Sequence, residues 1–431
     1  MRVNTSPTTP RHGRLYGWYV VVVLMLCQML AAMDSKIPFI LAETLKRDLS
    51  LSDSQLGLIT GPAFSLTYAI AALPISKLSD RGVRVHVIGG AIAFWSMLTA
   101  LGGAAVGMKT MLLSRIGVAV GEAALTPAAH SIIADYKNTA ARPRAIAIYS
   151  LGLAIGTALA LSLGGYLNDR FGWRATLFIV GASGAAICLL VLATVREPAR
   201  EQVTATRELP KGNLRSLLGN APVRNLMLGG AILGISAGAL SSWAPAYIMR
   251  TFGLSATQTG AAFGPVAGGV AILGMLSGGF VGGWLAKRGP RRAFNVLAAA
   301  FVLAMVAQIA SLATSSFSLF IVLTAINIFL VAFYLAPTYS MIQSAVGPDA
   351  RSFAAAATLF FINGVGMASG AFVCGVFSDV LTPYYGDQSL KYALLVLSLF
   401  KLWGAVHYVL VGRALVGENA AIAEVERRAA G

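Results

Sequence analysis

The sequence predicts an all-α membrane protein of twelve transmembrane helices, arranged as two six-helix bundles related by pseudo-two-fold symmetry. Three observations predict it: an apolar excess no soluble core absorbs, twelve stretches long enough to span a bilayer, and an internal repeat. Of 431 residues, 57% are hydrophobic and 12% charged, about half the charge fraction of a soluble domain. Mean hydropathy is +0.73. Lipid is the solvent that accommodates such a surface.

The apolar stretches fall near 16–40, 53–76, 85–107, 110–134, 143–167, 173–195, 223–249, 256–286, 293–314, 316–346, 351–379 and 390–413. They define an N-terminal segment 1–15, a first bundle 16–195, a linker 196–222, a second bundle 223–414 and a tail 415–431. The linker is charged and holds Pro198, Pro210 and Pro222. Only a short amphipathic turn around Leu214, Leu217 and Leu218 is expected in it. The first apolar run lacks a following small-residue cleavage site and reads as a retained helix.

Net charge is +16, but the basic residues lie between apolar runs and not on one face of a soluble fold. Nucleic-acid binding is therefore not expected. With the N-terminus inside, and residues in the first two or last position of a span counted with the adjoining segment, 23 of the 33 Lys and Arg fall in inner segments, seven in outer loops and three deep within spans. The positive-inside rule then puts both termini and the linker in the cytoplasm. The expected location is a cell membrane, of bacterial inner-membrane type, with a monomeric chain bathed in membrane lipid. Cys27, Cys188 and Cys374 each sit in an apolar stretch, which argues against disulfides and metal ligation. Neither cofactor nor metal is expected.

The repeat is read from punctuation. Leu51-Ser52-Asp53-Ser54-Gln55-Leu56-Gly57, then Gly61-Pro62, opens the second span. Leu254-Ser255-Ala256-Thr257-Gln258-Thr259-Gly260, then Gly264-Pro265, opens the eighth. Ser52 and Ser255 are the expected N-caps. Leu78-Ser79-Asp80-Arg81-Gly82-Val83-Arg84 follows the second span, and Leu285-Ala286-Lys287-Arg288-Gly289 follows the eighth. Two such halves joined by a linker suit alternating access around a central site. Small residues four apart, Gly152 with Gly156 and Gly366 with Gly370, are expected at close helix contacts.

Charges inside a bilayer cost roughly 2.5–3.5 kcal/mol each, so they mark function by default. Asp34, Arg115 and Glu122 are the main candidates. Arg115 and Glu122, seven apart, share one face of the fourth helix, about 10 Å apart along its axis. Asp34 is placed to pair with Arg115, while Glu122 lies nearer the midplane. Burial disfavours an ionised carboxyl and a nearby guanidinium favours it. A group so balanced can load and release a proton, so Glu122 and Asp34 are the proton-coupling candidates. The alternative is an ion pair that only fixes packing. Lys36, two residues from Asp34, points to another face; it is a candidate for substrate or for snorkelling to outer headgroups. Lys401 lies mid-span in the twelfth helix above His407, with packing or lipid contact as open as a substrate role. Spans seven to eleven hold no interior charge, so Trp243, Tyr247 and Tyr334 are expected to give the cavity an apolar wall. An amphiphile with a charged head suits such a cavity; a small organic anion at Arg115 is the alternative.

Several motifs resemble the major facilitator superfamily. Asp80-Arg81-Gly82-Val83-Arg84 is similar to its loop between helices two and three. Arg115-Ile116-Gly117 with Gly121-Glu122 resembles its fourth-helix motif. Gly165 to Arg174 resembles its junction between helices five and six. Within the superfamily the likeness is to the Spinster branch, carried by Asp34, Gln55-Leu56-Gly57, Gly121-Glu122-Ala123, Asp135, Arg142 and the stretch from Ser378-Asp379 to Leu390. The resemblance implies the major facilitator fold and secondary active transport of lysolipids or sphingoid lipids. It also implies a cytoplasmic gate of Asp80 with Arg81, Arg84, Arg142 and Arg144, which otherwise read as surface charges. There are departures. The first helix has Asp34-Ser35-Lys36 where the family often has Asp-Arg, and Gly156-Thr157 lacks the proline of the antiporter signature. A primary pump is excluded for want of a phosphate-cradling loop. Gly181-Ala182-Ser183-Gly184 with His407 gives only a weak hydrolase signal, and a small-residue helix seam explains it better; no enzyme activity is expected.

Overall fold

Twelve helical crossings fold as two bundles of six. The structure, a computed structural model, describes residues 13–198, 214–344, 346 and 350–430. The first bundle holds α1 (Arg14–Ile40), α2 (Asp53–Thr60 continued by Pro62–Arg81), α3 (Arg84–Gly103), α4 (Met108–Glu122 continued by Leu125–Tyr136), α5 (142–171) and α6 (173–194). The second holds α7 (Ala221–Phe252), α8 (Ala256–Ala286, through a π-helical turn at Val266–Val270), α9 (Pro290–Ala313) and α10 (Phe317–Ala332 with Leu335–Ser344). It ends with α11 (Arg351–Tyr385, π-helical over Phe360–Met367) and α12 (Ser389–Ser398 with Phe400–Ala430). Among the described residues, nine continuous helical stretches are long and apolar enough to cross a membrane. Two of them, Arg142–Thr194 and Phe353–Val416, each hold two crossings, and α2, broken at Gly61, completes the twelve. The expected turn in the linker is a short helix, Leu214–Gly219.

Local chemistry sets the breaks. Gly172 has φ 80° and divides α5 from α6 inside what is otherwise one unbroken helix. Gly289 has φ 92° and turns the chain into α9. Only glycine adopts these angles without a Cβ penalty. Ser52 and Ser255 both form complete capping boxes, with Gln55 and Gln258 as reciprocal partners, so the repeated heptapeptides have one structural meaning. Glycines serve the seams as expected. Gly152 and Gly156 lie against the α1 backbone at Met25 and Met29, and Gly366 and Gly370 lie against α7 at Ala231 and Ile235. Gly181 and Gly184 pack on Ser96 and Ala100 of α3. Ser183 donates to its own helix at Val180 O (2.7 Å), and His407 pairs with Asn225 in the other bundle. That stretch is a seam. The three cysteines are free and buried.

The bundles meet mainly through α2 against α11 and α5 against α8. Here "far face" means the side carrying the connection 41–52, which includes the short helix Ala42–Asp48, and "linker face" the opposite side. At the far face the contact is backbone to backbone: a side chain at Gly57 would collide with the Ala371 carbonyl, and one at Gly260 with the Leu161 carbonyl. Two carboxylates cross the interface. Asp379 of α11 accepts from the backbone N–H of Asp53 (2.9 Å) and Ser54 (2.8 Å) at the start of α2. Asp169, at the end of α5, accepts from Thr257 N (2.7 Å) at the start of α8. Each carboxylate thus meets the positive end of a helix in the opposite bundle. Between them, Arg250 of α7 binds Asp53 (2.7 Å) and Glu43 (2.7 Å), and Ser378 donates to Asp53 (2.6 Å).

This closure generates a prediction. Asp379→Asn and Asp169→Asn should each weaken far-face closure by about 1 kcal/mol, about a fivefold shift in population. Distances between spin labels on the two far-face halves should lengthen in both variants. An unchanged distribution in both would show that glycine packing alone keeps the face shut.

Candidate functional site

The first bundle encloses a cluster of four charges from α1 and α4, which runs from Asp34, Lys36 and Arg115 in the far-face half to Glu122 at mid-depth. Asp34 and Arg115 are buried, at 0% and 2% exposure. Arg115 Nη1 lies 3.5 Å from Asp34 Oδ1, and its Nη2 donates to the Asp34 carbonyl at 3.1 Å. The Thr99 hydroxyl of α3 lies 2.7 Å from both Asp34 oxygens and donates to the carboxylate. The guanidinium also covers the Phe64 ring of α2, 5.3 Å from its centroid. Arg115 is therefore gripped by side chain, backbone and ring together, while its Nε has no hydrogen-bond partner.

Glu122 is a different kind of group. It is buried at 4% exposure, and its Oε1 has no hydrogen-bond partner. It interacts electrostatically with Asp34, Arg115 and Lys36. The break that follows it, at Ala123-Ala124, ends the first segment of α4 at this residue. A buried carboxyl oxygen without a donor is costly, and such an atom accommodates a proton or a donor on a ligand.

Lys36 corrects the snorkelling expectation. It is half-buried and directed to the inside of the bundle, with Nζ 5.0 Å from the Phe39 centroid and Glu122 as its electrostatic partner. The two-residue offset explains this: Asp34 turns to α3 and α4 at Arg115, and Lys36 takes the next face of α1, towards Glu122. The aromatic wall is also corrected. Trp243 is buried, and its indole donates to Ala371 O (2.8 Å) across α7 and α11. Tyr247 donates to Leu312 O (3.2 Å) and stacks near Phe320. Tyr334 is enclosed by Phe301 and Tyr408. All three pack helices together and none lines an open cavity, because each finds a buried partner within its own bundle. Lys401 is likewise enclosed, at 0% exposure. It bonds to Ser236 Oγ (2.8 Å) and to Gln308.

At the linker face, the side chains of Asp80 and Arg81 lie outside the described residues. Arg84 is not a surface charge: it is 3% exposed and paired with Asp135 and Glu197. It ties α3, α4 and the chain after α6 together within one bundle, so it does not bridge the halves. Arg142 binds the carbonyls of Ala134 (2.8 Å) and Lys137 (3.0 Å) at the end of α4, and Arg144 is exposed. Sequence reasoning missed Thr99 and Phe64, for which no motif exists. It also passed over Arg250, whose signal was a lone basic residue on the sparsely charged outer side.

The buried pair predicts an order of stabilities. Arg115→Gln leaves two buried carboxyls short of a cation, and breaking a buried pair this way costs about 3–5 kcal/mol. Asp34→Asn should cost less, because Glu122 remains to balance Arg115. Thermal unfolding in one detergent would rank them; Asp34→Asn as damaging as Arg115→Gln would show that Glu122 does not share the cation.

The comparisons with known proteins agree with this architecture. The Major Facilitator Superfamily matches residues 24–371. An MFS-type efflux pump of Mycolicibacterium smegmatis is 33% identical over 400 residues, covering 92% of this chain and 93% of that protein. Protein spinster homolog 1 of Homo sapiens is 30% identical over 243 residues, covering 54% of this chain and 46% of that protein. A crystal structure of a bacterial homolog to the human lysosomal transporter Spinster, in an inward-facing and unoccupied conformation, superposes with a TM-score of 0.84. It is 26% identical, over 94% of this chain and 99% of that one. The chain belongs to the major facilitator superfamily, as a multi-pass membrane transporter and not an enzyme, and is similar to Spinster proteins.

Proposed function

We propose that the chain is a proton-coupled secondary transporter of an amphiphilic, lipid-like solute with a charged head, of lysolipid or sphingoid type. The observation that carries this reading is Glu122: a buried carboxyl with an unpartnered oxygen, in electrostatic reach of two cations and a second carboxylate. Two cations and two carboxylates share one enclosure, so any anionic head group that draws Arg115 or Lys36 towards itself leaves Glu122 uncompensated. In a low-dielectric site an uncompensated carboxylate takes up a proton. Release of the solute returns the cations and expels the proton. Asp34 stays fixed by Thr99 and Arg115, which makes it the positioning member, with a role in gating. Among the described residues, the second bundle presents only Lys401 as a mid-span cation, and that group is enclosed. The charged head therefore belongs to the first bundle, and the rest of the solute to the uncharged second.

In this reading the far face is extracytoplasmic and shut, the linker face is cytoplasmic, and the conformation is inward-facing. The chain acts as a monomer in an inner membrane of bacterial type. Asp80 and its neighbouring arginines close the linker face when the molecule turns outward. That follows the family resemblance of the loop.

Coupling is tested by Glu122→Gln, which mimics the protonated acid. In proteoliposomes it should abolish accumulation driven by a pH gradient, while substrate exchange without a gradient falls by less than about tenfold. Transport by the variant should also be flat across the pH range in which the wild type responds. A screen of lysolipids, sphingoid bases and small organic anions, each with and without the gradient, identifies the solute. Gradient-driven accumulation by Glu122→Gln with the wild-type pH profile would sink the proposal and leave the cluster a packing device.

A further inference from the structure

Away from the central site, a groove of about 480 Å³ lies between α9 and α12 on the outside of the second bundle. One wall is the α9 face of Asn295, Ala299 and Val302; the other is the α12 face of Leu402, Val406 and Arg413. The helices run antiparallel here, so Asn295 and Arg413 share the linker-face end, while Val302 and Leu402 reach towards mid-membrane. Eleven residues separate Leu402 from Arg413, which is about 16 Å along a helix. That is about half of a hydrocarbon core of about 30 Å, the depth of one leaflet. The polarity follows the same axis: an exposed guanidinium and an amide at the headgroup level, and only aliphatic groups below.

The head end is basic beyond Arg413. Gly412 brings α12 against the start of α9, its Cβ position being 3.2 Å from the Arg291 Cα. Arg291 and Arg292 are exposed there, in the first turn of α9, where the helix dipole adds to their charge. No acidic residue occurs in α9.

We propose that this groove is a binding site for one anionic phospholipid of the linker-face leaflet. Its phosphate sits between Arg291 and Arg413, and one acyl chain lies along Ala299, Val302 and Val406. Basic clefts between transmembrane helices at the headgroup level select anionic lipids in this way, and the apolar floor adds affinity per buried methylene. The site is separate from the Glu122 cluster and does not depend on which solute is carried.

The test is native mass spectrometry of the purified full chain, equilibrated with phosphatidylglycerol or phosphatidylcholine of equal chain length. The wild type should retain one phosphatidylglycerol in preference to phosphatidylcholine. Arg413→Gln and Arg291→Gln should each reduce that preference about fivefold. Ala299→Trp, at an exposed position, should fill the groove and displace either lipid. Arg288→Gln is the control, since Arg288 does not line the groove and instead covers the Trp284 ring (3.6 Å), so the change should leave retention unchanged. Equal retention of the two lipids overturns the proposal. So does a loss in Arg288→Gln matching that in Arg413→Gln, which would reduce the effect to general surface charge.

Discussion

Everything in this conformation depends on two carboxylates that each terminate a helix of the other bundle. Asp379 accepts the first amides of α2, and Asp169 accepts the amide of Thr257 at the start of α8. A helix begins with N–H groups that its own turns cannot satisfy. In a membrane protein those donors need partners, and here the partner arrives from across the interface. The interaction is directional, so it holds the bundles in one register as well as together. Backbone contacts at Gly57 and Gly260 are then possible because nothing larger than hydrogen intervenes. The network around Asp53 adds charge pairing to the same corner. Asp53 accepts from Arg250 and Ser378 while its own N–H is held by Asp379.

The far face and the charge cluster belong to the same helices. Asp34 is about one and a half turns from the end of α1, and the loop that follows it carries Glu43, which binds Arg250 of the second bundle. Opening the far face means parting Glu43 and Asp53 from Arg250. Any tilt of α1 that does so also moves Asp34 and Lys36, one against Arg115 and the other against Glu122. Interfaces built from discrete ion pairs and close backbone contact are bistable and not continuously deformable. A short lever thus joins the far-face contacts to the buried charge cluster.

Much of this was legible in the sequence, for definite reasons. The twelve crossings follow from hydropathy, since lipid forbids unsatisfied backbone and leaves only helices. The paired heptapeptides at 51–57 and 254–260 became paired capping boxes, because a serine three residues before a glutamine has one favoured local structure. Asp34 and Arg115 are in contact because buried charges must find partners. What the sequence did not show is orientation about a helix axis once several partners compete. Trp243, Tyr247 and Tyr334 carry polar handles that sought carbonyls and aromatic neighbours inside their bundle, so they pack where a cavity wall was expected. Arg84 read as a surface charge because its partners, Asp135 and Glu197, are 51 and 113 residues away. Lys36 stayed open between a substrate role and snorkelling because Glu122, whose charge acts on it, lies on another helix.

The repeat also shows where the halves parted company. Both kept the capping box, the glycines at the interface and the crossed carboxylate, which a two-fold closure requires of each half equally. Among the described residues, only the first half holds carboxylates inside its bundle, away from both faces. At that depth the second half has Lys401, bonded to the neutral Ser236 and Gln308, and Gln308 is in turn bridged to Asn327. A symmetric pair of charge clusters would set two like sites across one cavity and hold solute in both. Confining the carboxylates to one wall leaves the other free to slide past an uncharged surface. Rocking of one bundle on the other then moves neutral helices over the charged site, with no second ion pair to break. In the proposed transport cycle, this asymmetry at the centre accompanies symmetric closure at the far face.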